Sequence, residues 1–136
     1  MPAAQLTHAE VLEKLPAVVA DCLAIEEADV TPEANFRLDL GGESIDDIDL
    51  SFRCDRAFGL HQPLQALGGL LKLPTNSDGT VSLETALKAC ERIPYFQERL
   101  SRLGKSEVTP RDLLELYTIE GIAHVIAAAS NGDAAA

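Results

Sequence analysis

The sequence predicts an all-α fold. Three observations carry this reading. Apolar residues return at every third or fourth position in several separate stretches. Serine or threonine precedes most of those stretches, where a helix N-cap belongs. No apolar–polar alternation of useful length marks a half-buried strand.

Composition bounds the rest. A chain of 136 residues, 46% of them apolar, suits one domain with a real core and is too apolar for a disordered one. Aromatic residues make up only 4% and Trp is absent, so Leu, Ile, Val and Ala must build that core. The net charge is −11, which argues against nucleic acid or an anionic membrane surface as partner and favours basic surfaces on other proteins. The charge is uneven: −9 over residues 1–60, +1 over 61–108 and −3 over 109–136. Cys22, Cys54 and Cys90 lack CxxC spacing, so neither a disulfide framework nor a zinc site is expected, and each reads as a small core residue. The opening MPAAQLTHAEV has no basic, apolar signal character, and no stretch is long and apolar enough to span a bilayer. A cytoplasmic protein without membrane insertion is the expectation.

The first helix starts after Thr7, which forms a capping box with Glu10. Val11, Leu15, Val18, Val19, Cys22 and Leu23 follow at helical spacing, with Pro16 expected to bend the helix. Residues 24–43 read as a long loop punctuated by Pro32, Asn35 and Gly41-Gly42. Ile25, Val30, Phe36, Leu38 and Leu40 are expected to anchor it to the core.

A second helix is predicted from about Ser44 to Phe58, closed by Gly59. On a helical wheel it carries two apolar stripes. Leu50, Cys54, Ala57 and Phe58 form one; Ile45, Ile48 and Phe52 lie nearly opposite, with Asp46, Asp47, Asp49 and Asp55 between them. A surface helix needs one apolar stripe, so the second must meet another segment, a ligand or a partner.

Residues 61–107 read as a further helical segment. Leu64, Leu67, Leu70 and Leu71 suggest a short helix, and 74–79 a turn. Ser82 caps a helix to about Arg92 that buries Leu83, Ala86, Leu87 and Cys90. Pro94 opens another with Phe96, Leu100 and Leu103, closed by Gly104. Thr109-Pro110 starts a short helix ending near Leu116. Thr118 caps a last one with Ile119, Ile122, Val125 and Ile126, and the tail from Ala127 is expected to fray. Arg92, Arg99, Arg102 and Lys105 read as a solvated basic face. His8, His61 and His124 are scattered, so no ligand role or metal site is expected of them.

The chemistry sits in Asp39-Leu40-Gly41-Gly42-Glu43-Ser44-Ile45-Asp46. A serine at a loop-to-helix junction exposes its hydroxyl where helix amides and the macrodipole favour an attached phosphate. No neighbouring base activates Ser44 as a nucleophile. A serine modified by another enzyme fits better than one that attacks, so the chain is expected not to be an enzyme.

This stretch resembles the acyl carrier protein family, whose arm sits on the serine of a D-S-L motif after D-L-G-x. Glu43 stands where the family has Asp, and Ile45 where it has Leu. The resemblance runs without a gap from about Val11 to Phe58 and resumes at about Val108. It implies an acyl-carrier-type four-helix bundle, with core at about 7–60 and 108–129, a helical insertion at about 61–107 and a frayed tail at 130–136. It implies that Ser44 carries covalent 4′-phosphopantetheine and that acyl intermediates ride on it as thioesters. It implies that Glu43, Asp46, Asp47 and Asp49, with Ile45, Ile48 and Phe52, meet partner enzymes. Those partners would be a phosphopantetheinyl transferase, an acyl-loading enzyme, and a ketosynthase or acyltransferase. The insertion suggests a specialised carrier; fatty-acid or lipid synthesis is the expected pathway, with polyketide synthesis next, and a monomer is expected. An aminoacyl or peptidyl carrier, and an interaction module that kept the bundle without the arm, remain the alternatives. The insertion could also cover the second stripe of the second helix or widen a pocket for a bulky acyl chain.

Overall fold

A computed structural model of the chain describes residues 6–60 and 73–130. Helix α1 spans His8–Leu23. Thr7 and Glu10 form the expected capping box, with Glu10 N–H donating to Thr7 Oγ1 at 3.2 Å and Thr7 N–H to Glu10 Oε1 at 3.0 Å. Pro16 lies inside the helix without ending it, because Val11, Leu15 and Val19 on either side are fully buried. Tertiary packing here outweighs the missing backbone donor.

The loop to α2 (Ser44–Phe58) contains one 3-10 turn at Glu27–Asp29 and is anchored by buried Val30 and Phe36. Leu38 does not anchor it as expected: it is 38% exposed. Ile25 and Leu40 do pack against the core, and backbone hydrogen bonds add to the anchoring. Phe36 N–H donates to Tyr117 O at 2.9 Å, Ile119 N–H to Ala34 O at 2.9 Å, and Glu120 N–H to Pro32 O at 2.9 Å. In α2, Leu50 and Cys54 are fully buried and Phe58 is half-buried. Ala57, at the edge of that stripe with a one-carbon side chain, is exposed, contrary to expectation.

The chain resumes with β1 (Val81–Ser82), α3 (Leu83–Ala89), α4 (Pro94–Arg102), β2 (Glu107–Val108), α5 (Pro110–Leu114) and α6 (Ile119–Ser130). The two strands form an antiparallel ladder pairing Val81 with Val108 and Ser82 with Glu107. It escaped sequence reading because two residues are too few to show alternation. Helix α3 stops before the expected Arg92: Pro94 forces the preceding residue out of the helical region, and Ile93 has φ −125° and ψ 80°. Helix α5 stops at Leu114, short of the expected Leu116, and the chain turns so that the Tyr117 carbonyl faces Phe36. The tail does not fray at Ala127. Helix α6 continues to Ser130, whose Oγ accepts from Leu6 N–H at 3.1 Å and donates to Ala127 O at 2.8 Å. The expected helix with Leu64, Leu67, Leu70 and Leu71 falls largely outside the described residues, as does the end of the tail.

Helix α6 is the central element, burying Ile119, Ile122, Ala123, Val125 and Ile126. Helix α1 packs along it, and α2 and α4 flank the pair. Residues 81–108 add Val81, Ala86, Cys90, Phe96, Leu100 and Val108 to the same core. Leu103, expected to be apolar filling, is 38% exposed beside Gly104 at the end of α4. Phe96 meets Tyr117 edge-on at 5.9 Å between ring centroids. It also fits over Gly121, where an added Cβ would lie 2.1 Å from Leu116 O and 3.1 Å from the Phe96 ring, so only glycine fits. On the surface the basic residues are engaged: Arg102 pairs with Glu98, Lys105 with Asp112, and Arg99 lies over the Tyr95 ring. Residues far apart in sequence also meet: His8 stacks on His124, whose other face stacks on Tyr95.

Candidate functional site

Ser44 is the first residue of α2 and is exposed. The N-cap is Glu43, so Ser44 does not serve as the cap. Among the described residues its hydroxyl makes no hydrogen bond, and neither do the backbone N–H groups of Ser44 and Ile45. These amides point out of the helix start, where a negative group is favoured.

The two glycines before Ser44 shape the approach. Gly41 has φ +78°, a conformation that side chains resist. Gly42 is pressed against Phe36: its N–H donates to Phe36 O at 2.8 Å, and a Cβ there would lie 2.5 Å from the Phe36 ring. The glycine pair therefore lets the loop fold tightly onto buried Phe36 and deliver Ser44 to the surface.

The acids around Ser44 have different employment. Glu43 is exposed, and its N–H donates to Asp46 Oδ2 at 2.8 Å, so Asp46 steadies the helix start. Asp47, expected among the docking acids, has a partner within the chain. Its half-buried carboxylate pairs with Arg37 in both oxygens, pinning the loop to α2. Asp49 accepts from Arg53 Nε at 3.1 Å and from the Cys22 thiol at 3.6 Å. Arg37 was missed at the sequence level because a lone arginine in a loop carries no spacing signal.

Ile45, Ile48 and Phe52 are 70%, 58% and 65% exposed. They form a continuous apolar strip beside Ser44 on the outer face of α2. Among the described residues nothing covers it. Among the described residues, no thiol is readily ionised. Burial pushes the Cys22 thiol up to about 11, with Asp49 adding to the effect, and burial likewise raises Cys54 to about 12 and Cys90 to about 11. No helix among the described residues is long and apolar enough to cross a membrane.

The stretch that contains this site has relatives. Residues 13–78 match the phosphopantetheine attachment site family. An acyl carrier protein of Rubrobacter xylanophilus is 35% identical over 77 residues, covering 57% of this chain and 95% of the relative. An acyl carrier protein of Thermosynechococcus vestitus is 38% identical over 58 residues, 43% of this chain and 72% of the relative. No solved structure matches the chain.

Proposed function

The chain belongs to the acyl carrier protein family, and on that premise we propose that Ser44 is the residue that holds its arm. It is a carrier and not a catalyst, and its cofactor is a covalently attached 4′-phosphopantetheine. The matched stretch 13–78 contains three serines. Ser51 is half-buried and spends its hydroxyl on Asp47 O at 2.8 Å. Ser77 sits in the exposed 74–79 turn, away from any helix start. Only Ser44 combines an exposed, unengaged hydroxyl with open helix amides, and that observation carries the proposal.

The residues present fit a phosphate-linked arm. A phosphodiester on Ser44 Oγ would lie against the Ser44 and Ile45 N–H groups and the positive end of α2. When bound, the arm supplies a terminal thiol on which an acyl group is held as a thioester. The chain's own residues present it. Arg37 and Asp47 hold the loop against α2. Glu43, Asp46 and Asp49 offer negative charge to basic partners, and Ile45, Ile48 and Phe52 offer the apolar contact. The proposed partners are a phosphopantetheinyl transferase, an acyl-loading enzyme, and a ketosynthase or acyltransferase. The proposed setting is specialised fatty-acid or lipid synthesis, with polyketide synthesis second; the 61–107 insertion supports a specialised role.

Intact-mass measurement after co-expression with a promiscuous transferase tests the site. The wild type is expected to gain one arm and Ser44→Ala none. A gain retained in Ser44→Ala, or no gain in the wild type, would overturn the assignment.

A further inference from the structure

Three side chains that the carrier role leaves unused meet at one end of the bundle. His8 opens α1, and Glu120 and His124 stand one turn apart on α6. One ligand atom of each lies within 4.8 Å of the other two. The four-residue spacing puts Glu120 and His124 on one helix face. Packing of α1 along α6 brings His8 across to them. Two imidazoles and a carboxylate are a donor set for borderline divalent ions.

The present ring arrangement says how an ion would be accommodated. The His8 and His124 rings stack with centroids 4.3 Å apart and planes 16° apart. Ring-nitrogen lone pairs lie in the ring planes, so stacked parallel rings do not converge on one ion, and one ring must turn. His124 is held on its other face by Tyr95, at 4.0 Å and 9°. His8 sits at the exposed start of α1 and is the ring free to turn. Both histidines line a pocket of about 320 Å³ that Thr7, Arg92 and Ile93 also border, so solvent reaches them from that side. Two cations stand nearby: Arg92 borders the same pocket, and Arg99 lies over the Tyr95 ring, 4.6 Å from its centroid.

We propose that His8, Glu120 and His124 bind one divalent ion of the Zn²⁺, Ni²⁺ or Co²⁺ class and so clamp the first turn of α1 to α6. The ion would be held by a ring nitrogen of each imidazole and a carboxylate oxygen of Glu120.

Co²⁺ titration of the full chain carrying Ser44→Ala, which has no arm thiol, tests this by visible absorption and thermal melting. One ion per chain, weak visible bands without an intense near-ultraviolet thiolate band, and a saturable rise in Tm are expected. His8→Ala and Glu120→Gln should each lose the rise while keeping the metal-free Tm of their parent. A thiolate band, a rise unchanged in both variants, or no saturable response would overturn the site.

Discussion

Asn35 is the one buried polar side chain among the described residues, 5% exposed, and it ties its own turn to the end of α5. Its Nδ2 donates to Leu114 O at 2.9 Å, and its Oδ1 accepts from the N–H groups of Arg37 and Leu38, both at 3.0 Å. Asn35→Ala leaves a buried carbonyl and two amides without partners. The expected cost is about 2–3 kcal/mol, read as a lower urea midpoint at unchanged slope. Asn35→Asp keeps the two acceptor bonds and loses the donor, so it should fall between. In sequence Asn35 showed only as a turn residue, because its most distant partner lies 79 residues on. Ser44 was legible for the opposite reason: everything that marks it lies within a few positions, in the glycines before it and the acids after it. The Arg37–Asp47 pair was hidden, since its chemistry depends on how the loop folds back and no local pattern encodes that.

At the scale of an element, α2 shows how far periodicity reaches. Ala57 apart, the wheel separated its two stripes, and the structure gives them opposite fates: Leu50 and Cys54 at 0% exposure, Ile45, Ile48 and Phe52 out in solvent. Leu50→Ala should therefore cost about 2–5 kcal/mol of stability. Ile48→Asp and Phe52→Ser should stay within about 0.5 kcal/mol of the wild type, since surface changes rarely do more. Their loss should appear as slower loading or transfer of the acyl group by partner enzymes, with the melting temperature nearly unchanged. A drop in Tm as large as that of Leu50→Ala would mean that the strip is covered. The wheel could not tell which stripe faced inward or whether another segment covered the outer one; that depends on α1 and α6, which lie elsewhere in the chain.

For the whole molecule, residues 81–108 are part of one core and not an appendage. Phe96 is 1% exposed, wedged between Tyr117 and Gly121. Phe96→Ala should cost about 3–5 kcal/mol, and chemical denaturation should still show one transition. Two separate transitions would instead make residues 81–108 an independent unit. Its helices were legible from caps and prolines, but its merger with α6 was not, because a single glycine at position 121 makes the room. The charge division follows the same architecture. The excess acid lies in residues 1–60, which present the Ser44 face, while the nearly neutral middle segment spends Val81, Ala86, Phe96 and Leu100 on packing.

The two buried thiols and the half-buried Cys22 have a practical corollary in labelling chemistry. Alkylating reagents attack thiolates, and thiols held at about 11 or 12 expose on the order of one thiolate in ten thousand or fewer at neutral pH. A flexible arm ending in an ordinary thiol is ionised to a few per cent under the same conditions. Iodoacetamide should therefore modify the armed protein once, at the arm, and the arm-free protein hardly at all. After urea the count should rise by the three cysteines of the chain. A fluorophore could thus be placed on the working end of the molecule without removing any native cysteine.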